Sequence, residues 1–147
     1  MAVVLQQAGY SHTSIPEPNT EIKIQILHRD AVMPQKGSVD SAGYDISSIK
    51  AQEVPPDTQI LIPTGLAIEL PINHFGQLKS RSGLALKHNV HVKAGTIDSD
   101  YRGEIKILIS NESNKPFKIH KHMRIAQLII FQLPRSEEHT SELQSPS

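Results

Sequence analysis

Cysteine is absent from this 147-residue chain, which excludes disulfide frameworks, thiolate metal sites and cysteine nucleophiles together. Any chemistry must rest on oxygen and nitrogen groups. Tryptophan is absent too, and three Tyr and three Phe are the whole aromatic complement, so a ring placed among polar residues stands out. An excess of either charge is also lacking: 15 Lys and Arg balance 15 Asp and Glu. That balance offers no electrostatic footprint for duplex nucleic acid or an anionic membrane surface, so a phosphate ligand would have to be held locally. The apolar runs at 105–109 and 125–131 stop far short of the roughly 20 residues of a membrane helix. Residues 1–9 are too short and lack the basic flank of a secretory signal. The expectation is a soluble intracellular protein, in cytoplasm or nucleus, with neither a nucleic-acid nor a membrane partner.

What the chain does have is punctuation, with 10 Pro and 8 Gly, and a length that suits one domain with a core of its own. The first 20 residues hold turn formers such as Ser11, Pro16, Pro18 and Asn19 with few apolar anchors, which predicts a mobile leader over 1–20. The domain is expected over 21–133. At its start Ile22, Ile24 and Ile26 alternate with Glu21, Lys23 and Gln25, the period of a strand with one buried face. Shorter strand signals follow at 59–62, 66–70, 104–110 and 124–131, separated by Pro55-Pro56, Pro63, Pro71 and the polar stretch 111–116. Many short strands with such breaks predict an all-β sandwich or barrel. Only 82–88 reads as helix, with Ser82 suited to cap it. No βαβ alternation and no internal repeat is present.

Four segments carry groups able to do chemistry. Lys79-Ser80-Arg81-Ser82-Gly83 sets hydroxyls, a guanidinium and a glycine at a helix start, a combination that suits a polyanion; an ordinary capped surface loop has the same composition. Residues 94–104 hold three carboxylates and Tyr101 between glycines, as in a hairpin able to bend around a flat ligand. Within it Asp98 could orient and deprotonate a water, or simply hydrogen-bond its own backbone as turn aspartates do. Tyr101 could pack on a sugar or base, or cover a core edge.

Asp45, after Gly43-Tyr44, could hold a hydrated Mg²⁺, an ion that keeps several waters when bound to nucleotide phosphates; a solvated carboxylate at a strand end is the plainer reading. Gln127 lies within the apolar strand 124–131, where an amide must find a partner or a water.

Read together and in order, these segments resemble the first four of the five signature motifs of the trimeric dUTPases, the deoxyuridine 5′-triphosphate nucleotidohydrolases, and the similarity runs over 21–131. The run Gly-Thr-Ile-Asp-Ser-Asp-Tyr-Arg-Gly at 95–103 is the most diagnostic part. The resemblance implies a dUTPase-like β-clip, a distorted jelly-roll barrel with one short helix, assembled as a homotrimer with active sites shared between subunits. It implies hydrolysis of dUTP to dUMP and pyrophosphate, a reaction that cleanses the nucleotide pool and supplies dUMP for thymidylate synthesis. By the same resemblance, Gly95, Thr96 and Ile97 would meet the uracil edge and Tyr101 would pack under the deoxyribose. Asp98 would bind the sugar 3′-hydroxyl and activate the attacking water, and Gln127 would position that water. Arg81, Ser82 and Gly83 would hold phosphates, and Asp45 would support Mg²⁺ through water.

Two departures from the family pattern stand beside the match. His122-Met123 replaces what is more often Gly-Asp, expected to be a tolerated turn change. After Phe131 the Gly-rich, Arg- and Phe-bearing fifth motif is not seen. Residues 135–145 instead resemble the conceptual translation of a sequencing-library adapter, which predicts a non-native, disordered tail over 134–147 and impaired turnover; a genuine polar tail is the alternative. Two other readings stand beside the hydrolase: a non-catalytic nucleotide-binding or interaction module of the same fold, and a dCTP deaminase.

Overall fold

The computed structural model describes residues 2–5 and 21–134. Residues 135–147 of the tail expected over 134–147, and residues 1 and 6–20 of the expected leader, lie outside the described residues, while the leader's residues 2–5 take strand form. In chain order the elements are β1 (Ala2–Leu5), β2 (Glu21–Ile26), β3 (Gln35–Lys36), β4 (Tyr44–Ser47), β5 (Gln52–Val54), β6 (Thr58–Glu69), β7 (His74–Lys79), α1 (Ser82–His88), β8 (Val90–Lys93), β9 (Thr96–Ile97), β10 (Glu104–Asn111), β11 (Phe117–Ile119) and β12 (Arg124–Gln132). The all-β class and the one short helix agree with the sequence reading.

Two five-stranded sheets enclose the core, one ordered β1-β2-β6-β10-β8 and the other β3-β4-β12-β7-β9, with a small β11-β5 pair beside them. Every partner pair among these strands is antiparallel except β1 with β2. The alternation seen in the sequence is what points Ile22 and Ile24 inward from β2. They join Ile62, Leu66 and Ile68 of β6 and Ile105, Ile107 and Ile109 of β10 from the same sheet, and Ile46, Leu78, Ile125 and Leu128 from the other. Each such side chain contributes about 1.5–3 kcal/mol relative to an exposed one, so the sheets are held face to face largely by isoleucine.

Two sequence expectations change in detail. The signals at 59–62 and 66–70 belong to one strand, β6, that runs straight through Pro63. Proline is tolerated there because β2 pairs only with Leu66 to Glu69, leaving Pro63 outside that ladder. A register shift against β10 falls at the same place: Glu104 faces Ala67 while Lys106 faces Pro63, a bulge that absorbs the break. The helix α1 is where it was expected, but its cap is not Ser82. Arg81 occupies the N-cap with extended backbone and no side-chain capping bond, and Ser82 is the first helical residue. The C-terminal end is closed by Asn89 in left-handed conformation, with Lys87 and His88 in the last turn where cations offset the helix dipole.

Asn111, at the end of β10, is fully buried and saturated. Its Nδ2 donates to the Val54 carbonyl at 2.9 Å and the Lys115 carbonyl at 2.7 Å, and its Oδ1 accepts from Ser113 N at 3.0 Å and Ser113 Oγ at 2.7 Å. This one amide ties the β1-β2-β6-β10-β8 sheet to β5. Truncation leaves several of those groups unpaired, so Asn111→Ala is expected to cost roughly 2–4 kcal/mol, while Asn114→Ala on the exposed loop stays within about 0.5 kcal/mol. Urea unfolding of both variants checks this; equal midpoints would contradict it.

Candidate active site

The most elaborate local structure is the hairpin that leaves β9 and returns into β10. β9 pairs with β7 through Gly76 with Ile97 and Gln77 with Thr96, and Leu78 N donates to the Gly95 carbonyl at 2.9 Å. Gly95 is required here on two counts. Its φ is +105°, and a Cβ would lie 3.0 Å from both the Cβ and the carbonyl oxygen of Leu78, so only glycine lets the backbones come this close. Gln77 reinforces the seat: its Nε2 donates to the Ala94 carbonyl at 3.3 Å and its Oε1 accepts from Thr96 Oγ1 at 2.9 Å. Beyond Ile97 the chain turns tightly, with Tyr101 N donating to the Asp98 carbonyl at 3.1 Å, and Asp98 is left exposed.

Tyr101 does not cover a core edge. The residue is 44% exposed, its hydroxyl donates to the Glu104 carbonyl at 2.7 Å, and its ring lies over Gly103, where a Cβ would approach that hydroxyl to 2.6 Å. A cleft of about 450 Å³ opens between this hairpin and the face of β6 and β10, lined by Gly95, Thr96, Ile97, Tyr101, Leu61 and Lys106 among others. β9 is the edge strand of its sheet, so its outward backbone groups are free to pair with a ligand.

The second group of predicted residues meets elsewhere on the same sheet. On β12, Gln127 faces Asp45 of β4 on one side and Lys79 of β7 on the other, and directly opposed residues share a face. Asp45, with only 12% of its side chain exposed, stands between two guanidinium groups, with Oδ1 3.5 Å from Arg81 Nε and Oδ2 3.7 Å from Arg124 Nη1. Asp45 is therefore an interior strand residue and not a solvated strand end. Arg81 Nε is itself buried with no hydrogen-bond partner, an arrangement that leaves donor capacity unused.

Ser82 and Gly83 are exposed just beyond Arg81, and a Cβ on Gly83 would meet nothing within 4 Å. Packing within the chain therefore does not require glycine at 83. Burial raises the Tyr44 hydroxyl above its ordinary pKa, so the residue beside Asp45 stays neutral. A smaller cleft of about 220 Å³ beside Asp45 is lined by Met33, Ser47, His122 and Arg124 among others. It shares no lining residue with the hairpin cleft.

Sequence reasoning missed three contributors. Arg124 shares Asp45 with Arg81, Gln77 seats the hairpin, and the Glu104 carbonyl holds Tyr101. Arg124 was visible only as a polar strand start, and Gln77 and Glu104 act through partners distant in the chain. His122 holds a positive φ of 69°, a conformation that favours glycine.

Comparison with known proteins decides what this arrangement belongs to. The family model described as dUTPase matches residues 29–146. The chain belongs to the dUTPase family. A deoxyuridine 5′-triphosphate nucleotidohydrolase of Clostridioides difficile is 46% identical over 111 residues, covering 74% of this chain and 78% of that protein. One from Arabidopsis thaliana is 43% identical over 126 residues, covering 86% and 75%. Among solved structures, the dUTPase of phage phi11 of S. aureus superposes with a TM-score of 0.74 at 25% identity, covering 78% of this chain and 91% of that one. The family match takes in the C-terminal segment that the sequence reading set apart.

Gly95 and Gly83 differ in what packing within the chain asks of them. We expect Gly95→Ala to lower stability by about 1–3 kcal/mol because it forces a side chain into a positive-φ, crowded position. Gly83→Ala, in the helix with open space around it, should be neutral or gain up to about 1 kcal/mol. Thermal unfolding of both variants tests the seat; a Gly95→Ala protein as stable as the parent would contradict it.

Proposed function

We propose that this chain hydrolyses dUTP to dUMP and pyrophosphate. The observation that carries the reading is the hairpin cleft. An edge strand presents unpaired backbone beside Gly95, Thr96 and Ile97, an exposed tyrosine ring is fixed at the mouth, and a free carboxylate sits at the turn. The backbone groups are suited to pair with the uracil edge, and a wrong base would leave them unsatisfied. Tyr101 packs under the deoxyribose and leaves no room for a 2′-hydroxyl. Asp98 binds the 3′-hydroxyl and takes a proton from the attacking water, which Gln127 helps to orient. Water attacks the α-phosphorus, the bond to the bridging oxygen breaks, and pyrophosphate leaves. Positioning and charge neutralisation supply most of the rate.

Arg81, Ser82 and Gly83 receive the phosphates. The unused Nε donor of Arg81 and the open space over Gly83 support that assignment. Among the described residues no three carboxylates or histidines cluster as a metal cage, so Asp45 fits Mg²⁺ only through the ion's water shell. A structural Mg(II) ion is described for a mutant of the phage phi11 enzyme. When bound, the ion would neutralise phosphate charge; Asp45 would hold its waters once phosphate draws Arg81 away.

The base-and-sugar cleft and the Asp45 region share no lining residue within one chain, which favours an active site completed by neighbouring copies in a homotrimer. Among the described residues no helix is long and apolar enough to cross a membrane. We place the chain with the nucleotide pool, in cytoplasm or nucleus.

Pyrophosphate release from dUTP with Mg²⁺, with dCTP and UTP as controls, tests the reaction. We expect release from dUTP alone, and a fall in kcat of roughly 10²–10⁴ in Asp98→Asn with dUMP affinity kept. Ammonia in place of pyrophosphate, or an unimpaired Asp98→Asn enzyme, would overturn the assignment.

A further inference from the structure

The bulge in β6 is closed largely through side chains in place of the regular backbone ladder to β10. Between Pro63 and Ala67 the regular ladder to β10 is interrupted, and the groups it would have paired find other partners. Gly65 N donates to Glu104 Oε2 at 2.9 Å, Thr64 Oγ1 donates to the Ile105 carbonyl at 2.6 Å, and Leu66 N donates to Thr64 Oγ1 at 3.2 Å. Gly65 is itself immobilised. Its φ is +70°, a Cβ there would sit 2.9 Å from His28 Cβ and 3.1 Å from Ala31 Cβ, and its carbonyl accepts from Leu27 N at 2.8 Å. The amide that Glu104 grips is therefore anchored to the core sheet.

Glu104 is also the residue whose carbonyl accepts the Tyr101 hydroxyl at 2.7 Å. One residue thus joins the anchored bulge, through its carboxylate, to the exposed ring, through its carbonyl. Arg102 supports the turn as well: its Nη1 donates to the Ser99 and Tyr101 carbonyls at 2.7 and 3.2 Å, and its Nη2 lies 3.8 Å from Glu69 Oε2 at the end of β6, an exposed and long ion pair that ties the turn to the sheet only weakly. We propose that Glu104 is a positioning residue for sugar selection, setting the height of the Tyr101 ring over the cleft by clamping the start of β10 to the β6 bulge at Gly65. The proposal rests on the reading that Tyr101 faces the deoxyribose. Glu104 itself lines the cleft, but its carboxylate is engaged by Gly65 N, so its proposed action on the sugar runs through the tyrosine.

A ring held from two sides excludes a 2′-hydroxyl, whereas a ring free to tilt admits it. Competitive displacement of a fluorescent dUMP derivative by dUMP and by UMP reads this directly, with thermal unfolding recorded for each variant. We expect Glu104→Ala to reduce the preference for dUMP over UMP by roughly 3- to 10-fold, and Glu104→Gln, whose amide oxygen still accepts from Gly65 N, to keep it. Tyr101→Phe, which removes only the hydroxyl of an exposed ring, should reduce the preference similarly and serves if Glu104→Ala does not fold. Tyr101→Ala separates the two ideas. If it changes the preference while Glu104→Ala and Tyr101→Phe leave it intact, the positioning role is overturned and the sugar-facing role of Tyr101 survives. If Tyr101→Ala changes nothing, both fall. Equal losses in Glu104→Ala and Glu104→Gln would also overturn the clamp.

Discussion

The close approach of Gly95 to Leu78 is the contact on which the rest of the site depends. β7 is hydrogen-bonded to β12 on one side and to β9 on the other, and β9 reaches it only because residue 95 has no side chain and tolerates positive φ. From that contact the hairpin gains its height above the sheet, its free outer edge, and the direction in which Asp98 and Tyr101 leave it. Through β12 the same strand aligns Gln127 with Lys79 and Asp45. One interior strand therefore positions both candidate regions, the hairpin cleft and the Asp45–Arg81 surface.

The two halves differ in how they are prepared. The hairpin is prepared by rigidity: short hydrogen bonds, a crowded glycine and side chains that satisfy a bulge. Such preorganisation favours discrimination, because a misfitting ligand cannot be accommodated by relaxation. The Asp45–Arg81 half, proposed to receive phosphate, is prepared by charge. Asp45 stands against Arg81 and Arg124 at 3.5 and 3.7 Å, separations beyond a good hydrogen bond, and Arg81 keeps a buried donor unpaired. Neither contact has hydrogen-bond length, so the guanidinium groups keep donor capacity that a polyanion could use.

How much of this was legible in the sequence follows from the kind of signal each element leaves. β2 was read correctly because Ile22 and Ile24 alternate with polar residues. β7 left no such trace: its inward positions are His74, Gly76 and Leu78, and two of the three do not register as apolar. β6 was split in sequence at Pro63, since a proline reads as a break unless the missing ladder partner is known. Ser82 was read as a cap because its hydroxyl suits the role, yet the chain enters the helix one residue earlier, at Arg81. The candidate residues are legible through the joint order of four segments that resembles the family's motifs, two of them dense polar runs and one the apolar strand that holds Gln127. Their mutual geometry was not: the Asp45–Arg124 pair and the Glu104–Gly65 bond join residues far apart in the chain, and no local pattern encodes them.

The central claim is that the hairpin cleft is a preformed nucleoside seat. It is tested most directly by following backbone amide resonances of the chain during titration with dUMP. The account predicts that Gly95, Thr96, Ile97 and Tyr101 shift together and saturably, while the groove of about 500 Å³ beside His88 and Phe117 stays unchanged. Saturable shifts centred on that groove, with the hairpin silent, would contradict it.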